Sequence, residues 1–277
     1  MTEQDDKAAA RLTGAAVFSQ DDVAASYHAR QPYAPAAYEA LLARVPGRAR
    51  ALDIGSGPGP VARVLADHFG EVVALDPSAP MIAAGQAADA GAHPNIRWVC
   101  ARAEDFEDDA RFDLIVAGSS IHWTDPAVLF PRLAGWTALF ADLANDAEFP
   151  RPPPPCGIEA WIDFLCRWNP RVGRDPPPWW RDRSLRPPRQ APPHEAWLDI
   201  AGHERFRFTF QQSVPDFVAS CHARCSWPRE MMGAALSIEF DEELTQLLSP
   251  FASDGTLALD ILTDLVWGAP RTAPRQA

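Results

Sequence analysis

The stretch Ala51-Leu52-Asp53-Ile54-Gly55-Ser56-Gly57-Pro58-Gly59-Pro60 decides the fold. The short apolar run over Arg50–Ile54 reads as a strand, and the glycine-rich turn ends it. Val61, Val64, Leu65 and Phe69 then recur at helical spacing. Gly55, Gly57 and Gly59 let the backbone turn tightly and approach a ligand with no Cβ in the way. The alternation continues downstream. Strands are expected at Val72–Leu75, Ile96–Cys100, Phe112–Ala117 and about Trp136–Leu143, with helices at Ala79–Ala90 and Pro126–Leu133. That pattern predicts an α/β fold, a parallel sheet covered by helices on both faces.

Two cofactor classes use a strand, glycine turn and helix of this kind. Asp76 ends the second strand, where a carboxylate accepts hydrogen bonds from ribose hydroxyls. A dinucleotide site wants G-x-G-x-x-G, but the sixth position here is Pro60. Asp53 precedes the first glycine by two residues, and its charge would repel a pyrophosphate and suit a cationic amino group. The spacing therefore disfavours a nicotinamide-dependent oxidoreductase. That reading and a non-catalytic protein keeping the same fold stay open as alternatives.

Four motifs in order resemble the class I S-adenosylmethionine-dependent methyltransferases, in particular the small-molecule type 11 group that includes the trans-aconitate and ubiquinone/menaquinone enzymes. They are Leu52-Asp53-Ile-Gly55-Ser56-Gly57-Pro-Gly59, then Val73-Ala-Leu-Asp76-Pro77-Ser78 with Met81 following, then Arg102-Ala103-Glu104-Asp105-Phe106, and Phe112-Asp113-Leu-Ile-Val-Ala117. The resemblance covers about residues 45–135. It implies a Rossmann-like sheet of seven mostly parallel strands, with Arg205–Gln211 and Leu257–Val266 as the final hairpin-like pair. It implies S-adenosyl-L-methionine as cofactor. Asp53 and the Gly55–Gly59 backbone would line its methionine part, and Asp76 would bind the ribose. Pro77 and Met81 would pack near the adenine or ribose, and Ala103, Glu104 and Asp105 would sit at the adenine edge. Ser119 or Ser120 would lie near the sulfonium. Tyr27-His-Ala-Arg30-Gln-Pro-Tyr33 resembles the family's N-terminal stretch, which closes over the cofactor. The chain lacks the usual Pro-Gly-Gly turn before the fifth strand and has Leu133-Ala-Gly135-Trp136 instead.

Ligands of open α/β sheets bind outside the carboxyl ends of the strands. His122 and Trp123, just past the fourth strand, are therefore candidates for the acceptor side. His122 would act as a base, as an acceptor contact, or as a loop-packing residue. Methyl transfer needs little acid–base help when the nucleophile already has a lone pair, because in-line positioning supplies much of the rate. The acceptor atom expected from the resemblance is oxygen, with nitrogen or carbon open, and a role in secondary metabolism is plausible.

The second half of the 277-residue chain is of another character. Thirteen of its 28 prolines lie between Pro150 and Pro193, which excludes a regular sheet or a long helix over that whole segment. One helix is expected inside it, at about Ile158–Trp168. The organisation expected is a disordered stretch over 1–15, a cofactor core over 16–149, a proline- and tryptophan-rich cap over 150–195, the last two strands within 196–270, and a tail over 271–277. Before the core, residues 19–45 read as helix, interrupted at Pro32 and Pro35. After the cap, helices are expected at Glu195–Ala201, Val214–Cys225 and Asp241–Leu248. In the cap, Trp161, Trp179 and Trp180 are candidates to hold an apolar or aromatic acceptor, and its arginines suit a carboxylate or phosphate. A net charge of −12 argues against nucleic acid as partner. Five scattered cysteines make no disulfide framework, and Cys221-His222-Ala-Arg-Cys225 is not a zinc spacing, so no metal is expected. The polar, acidic Met1–Thr13 and the lack of a long apolar run lead to the expectation of a cytoplasmic monomer or homodimer with a small-molecule substrate and no membrane contact.

Overall fold

The computed structural model describes residues 16–145, 154–186 and 191–275. The stretch expected to be disordered, 1–15, lies outside them, as do Pro150, Pro152, Pro153, Pro187 and Pro188 of the cap.

A seven-stranded sheet runs in the order β3-β2-β1-β4-β5-β7-β6. The parallel strands are β1 (Arg50–Ile54), β2 (Glu71–Asp76), β3 (Ile96–Cys100), β4 (Leu114–Gly118) and β5 (Phe140–Asn145). Two long antiparallel strands, β6 (Leu198–Ser213) and β7 (Thr256–Pro270), complete it. β1, β2 and β4 are buried almost throughout, as expected of central parallel strands covered on both faces. One face packs on Leu41, Val61 and Leu65, and the other on Leu129, Phe130 and Leu133.

Proline stands in the first turn of several helices, where its missing N–H removes nothing the helix needs. It does so in α2 (Pro35–Leu42), α3 (Pro60–Ala66), α4 (Ala79–Asp89) and α5 (Pro126–Trp136), which follow a short α1 (Asp21–Ser26). Ser78 Oγ caps α4 by accepting from the Met81 amide at 3.2 Å.

Three expectations need correction. The N-terminal helix is three short pieces, because Tyr27–Ala29 tightens into a 3₁₀ turn and extended backbone then leads into Pro35. The fifth strand starts at Phe140, since α5 persists through Pro131 to Trp136 on the strength of its buried Leu129, Phe130 and Leu133. Residues 195–201 are not a helix. A 3₁₀ turn over Pro193–Trp197 leads straight into β6, where Leu198 pairs with Pro270 and Asp199 with Ala269. Ladder pairing with β7 overrides the local helical pattern there.

A second hydrophobic cluster lies beyond the sheet. It joins α6 (Ile158–Trp168) to α7 (Val214–His222) and α9 (Ala234–Leu248), the helices that connect β6 to β7, with the short α8 (Arg229–Met232) between them. Trp161, Phe164, Trp168, Phe217 and Phe240 fill it, and Leu257, Leu259 and Ile261 of β7 form its floor. The cap helix, which precedes β6 in the chain, thus packs on elements that follow it. Cap arginines tie it down: Arg167 pairs with Glu243, and Arg171 with Glu239 at 2.5 Å.

Candidate active site

The strand order reverses between β1 and β4, so a crevice opens outside their carboxyl ends. The glycine loop enters it from β1. Gly55, Gly57 and Gly59 have φ of 62°, 55° and 74°, the left-handed region that glycine occupies without strain. A Cβ on Gly55 would meet that of Ser120 at 2.5 Å, and one on Gly59 would meet the Trp98 ring at 2.4 Å. Trp98, which sequence reasoning passed over, is the reason the third glycine is needed. Gly59→Ala is expected to cost about 1–3 kcal/mol, through strain and the clash together. Urea unfolding checks this, and an unchanged midpoint would mean that Trp98 yields.

Asp76 holds the loop from the side. Its Oδ2 accepts from the Gly57 amide and its Oδ1 from the Ser78 amide, both at 2.8 Å. Burial raises its pKa, and those two amides pull it back down. Asp53 is different. It is fully buried, and neither of its oxygens has a hydrogen-bond partner among the described residues. Desolvation pushes its pKa well up, the Ala62 backbone amide, which approaches the carboxylate without closing a hydrogen bond, lowers it, and the Asp76 charge adds to the rise. An unpartnered buried carboxylate beneath a glycine loop is costly unless a cation or donor arrives to meet it.

The N-terminal segment folds over this loop. The Tyr27 ring lies 3.5 Å from where a Gly57 Cβ would be, and the Arg30 guanidinium sits 5.2 Å above that ring. Met81 packs against Val23 and Ala24, and Ser78 Oγ donates to the Phe18 carbonyl at 2.8 Å. Tyr33 donates to Ser119 Oγ at 3.0 Å, and burial raises the phenol's pKa, so it is held as a neutral donor.

The two serines after β4 differ. Ser119 has φ 53°, a strained value for a residue with a side chain, and faces a cavity. Ser120 is buried and donates to the Ile54 carbonyl, so it buttresses the glycine loop from below. Glu104 Oε1 accepts from the Asp125 amide at 2.8 Å, which ties the third motif to the start of α5. Ala103 is buried beside it, and Asp105 and Pro77 are exposed.

The cavity, of about 970 Å³, begins at Ser119 and Ile121 and runs beneath the cap. His122, Trp123, Trp161 and Trp180 line it. Trp179 does not. It is half-buried, edge-on to Trp180 at 6.5 Å, with Arg186 5.5 Å from its ring. The cavity's arginines are Arg30 and Arg224 rather than any from the expected cap. His122 is exposed, its ring 4.6 Å from that of Trp123. Burial pushes the Cys156 thiol's pKa up to about 11, so it is neutral at pH 7 and offers no thiolate nucleophile. Sequence reasoning missed Asp142, His194, Trp227 and Asp264, which also line the cavity.

Residues 51–137 match the model of a family described as a methyltransferase domain. This part of the chain is a methyltransferase domain of the class I, S-adenosylmethionine-dependent type. Among curated proteins, the chain is 40% identical over 90 residues to a malonyl-[acyl-carrier protein] O-methyltransferase of Enterobacter lignolyticus, covering 31% of this chain and 34% of that protein. It is 35% identical over 129 residues to a ubiquinone biosynthesis O-methyltransferase of Nitrobacter winogradskyi, covering 44% and 47%. The matches thus span between about a third and a half of those relatives' lengths. A solved structure from Anaeromyxobacter dehalogenans, assigned as a type II methyltransferase, shares the fold with a TM-score of 0.57 at 22% identity, over 89% of this chain and 99% of that one. Among the described residues, no helix is long and apolar enough to cross a membrane.

Proposed function

We propose that the whole chain is an S-adenosylmethionine-dependent methyltransferase that acts in the cytoplasm on a small-molecule acceptor, with oxygen as the favoured acceptor atom. The observation that carries this is the unpartnered Asp53 carboxylate under the glycine loop, next to a chamber that begins at Ser119. The carboxylate suits the cofactor's ammonium group, and it opposes the pyrophosphate of a nicotinamide dinucleotide. Asp76 takes the ribose hydroxyls. The backbone over Gly55–Gly59 takes the methionine part, with Tyr27, Arg30 and Tyr33 closing over it. Bound there, the cofactor supplies an electrophilic methyl group on a sulfonium. The chain's own part is to bind it, exclude water and hold the acceptor in line. The cap, through Trp161, Leu165 and Trp180, makes the lid of the acceptor chamber together with the helices between β6 and β7.

Calorimetric titration with S-adenosylhomocysteine tests this reading, with NADH as the control ligand. Wild type is expected to bind the first and not the second. Asp76→Ala is expected to weaken binding by about 100-fold, the worth of two charge-assisted hydrogen bonds to a diol. Binding of NADH alone, or an unaffected Asp76→Ala variant, would sink it.

A further inference from the structure

An arginine in a cavity wall is informative when something orients it and no carboxylate neutralises it. Arg224 meets both conditions. It stands just past the end of α7, half-buried, in the wall of the acceptor chamber. Its Nη2 donates to Gln31 Oε1 at 3.0 Å. Among the described residues its guanidinium makes no ion pair, so most of its N–H donors are left for a ligand.

A relay of amides imposes the orientation. The Ala29 carbonyl can only accept, so Gln212 turns Nε2 to it, at 2.6 Å, and Oε1 to Gln31. Gln31 Nε2 then donates to Gln212 Oε1 at 2.7 Å and to Ser220 Oγ at 3.2 Å. That leaves Gln31 Oε1 for Arg224. Gln212 and Ser220 are both buried. The segment before α2, strand β6 and helix α7 thus meet in one network that ends on a guanidinium. On the other side of the turn, Arg174 of the cap donates to the Cys225 carbonyl. A neutral amide orients the guanidinium without cancelling its charge. The other charges of the wall are placed differently. Arg30 lies over the Tyr27 ring, with Nη1 3.5 Å from the Ala223 carbonyl, so it stays on the cofactor side and adds positive potential. The carboxylates stand on β5, β7 and the Pro193–Trp197 turn. Asp260 pairs with Arg207, Asp264 with Arg205 and His203, and Asp142 lies 3.3 Å from His194 Nε2. Glu195, half-buried on the turn, makes no ion pair among the described residues, which makes a cationic ligand the competing outcome.

Resting on the proposed methyl-transfer reading, we propose that Arg224, presented by Gln31, Gln212 and Ser220, binds an oxyanion of the methyl acceptor. The acceptor is then an anionic molecule, a carboxylate or a phosphate, with an apolar body. Trp161, Leu165, Phe217 and Trp227 wall the same chamber and suit that body. The segment carrying Gln31 is pinned across the ends of β4 and β5. Asn145 Nδ2 donates to the Pro32 carbonyl at 2.9 Å, and Tyr33 donates to Ser119 Oγ. Gln31 and Tyr33 are two residues apart, so ~7 Å of chain at most separates them. A small molecule therefore reaches from the arginine to the Ser119 end of the chamber. The guanidinium fixes one end of the acceptor and leaves another atom free to line up with the methyl group.

The test titrates the full chain near pH 7, with and without S-adenosylhomocysteine, with four probes of one body. They are 2-naphthoate, 2-naphthyl phosphate, the neutral 2-naphthamide and the cationic 2-naphthylmethylammonium. At least one anion is expected to bind about tenfold or more tightly than the amide. The tighter of the two anions tells carboxylate from phosphate. Arg224→Gln is expected to remove that preference and leave S-adenosylhomocysteine affinity within about twofold. Arg224→Lys should keep part of it, as a point charge without the planar fork. Gln31→Glu sets a carboxylate against Arg224 and should remove the preference with the arginine still in place. Equal binding of anions and amide, tighter binding of the cation, or binding of no probe at millimolar concentration would overturn the proposal. So would an anion preference that survives both Arg224→Gln and Gln31→Glu. Loss of S-adenosylhomocysteine binding in Arg224→Gln at wild-type Tm would overturn it too, because Arg224 would then hold the cofactor's carboxylate. Failure of S-adenosylhomocysteine to bind wild type would overturn the methyl-transfer reading and leave the anion result standing.

Discussion

Asp53→Asn is expected to make the ligand-free protein more stable and, at the same time, a poorer binder. The carboxylate is fully buried without a partner, and desolvation holds its pKa well above the usual carboxylate range. In the unfolded chain it ionises near the ordinary value of about 3.9. The folded state therefore binds more protons than the unfolded state, and stability falls as pH rises from that value through the folded pKa. Asparagine keeps the shape and removes the charge. The gain should be small in acid and should grow with pH, to about 1 kcal/mol or more, or about 2–4 °C in Tm. S-adenosylhomocysteine affinity should fall by about 10- to 100-fold, because its ammonium loses a buried counter-charge. A related expectation concerns wild type, in which ligand binding should lower the Asp53 pKa and release a proton where the pH lies between its ligand-free and bound values. Calorimetry in buffers of different ionisation enthalpy measures that directly. No proton release, together with an unchanged Tm in the variant, would show that Asp53 is not the ammonium's partner.

Trp168→Ala should have the largest effect on folding. The side chain is fully buried in the cap cluster, edge-on to Phe240 at 5.0 Å and tilted against Phe164 at 6.0 Å. Its indole N–H donates to Glu243 at 2.9 Å, and Arg171 lies over the ring at 4.2 Å. Removing it leaves a large cavity and an unmatched carboxylate oxygen, at a cost of about 3–5 kcal/mol. Denaturant unfolding should show that loss, with hydrogen exchange fastest in α6 and α9. S-adenosylhomocysteine binding at 10 °C should survive, since Trp168 touches nothing in the glycine loop. A cost below about 1 kcal/mol would mean that the cluster repacks around the gap.

The cofactor side was largely legible in the sequence, because its signals are local. The strand, glycine turn and helix occupy one short run, and β1 and β3 fall where their apolar runs end in turn residues. The wall of the cavity beyond it was not legible. Ser119, Asp142, His194 and Asp264 come together only through strand order and register, and none carries a local signature. Tryptophan content pointed to the cavity at Trp179 too, but only its neighbour Trp180 lines it. β6 was read seven residues short at its start, because Leu198–Arg205 alternates with solvent and depends on its pairing with β7. Local pattern serves where a segment's own burial decides its structure, and it fails where a distant strand does.

The β6–β7 ribbon has a consequence for how the molecule comes apart. Its ladder runs from Leu198 opposite Pro270 to Ser213 opposite Thr256, with one irregularity between Ile200 and Gly202. One end of β7 pairs with β5 in the sheet, and the other floors the cap cluster. Neither the glycine-loop half nor the cap cluster can melt without disturbing β7, which both share. The two halves, so different in composition, should therefore unfold in a single cooperative transition, and a ligand gripped by the glycine loop should protect the lid from melting as much as it protects its own site.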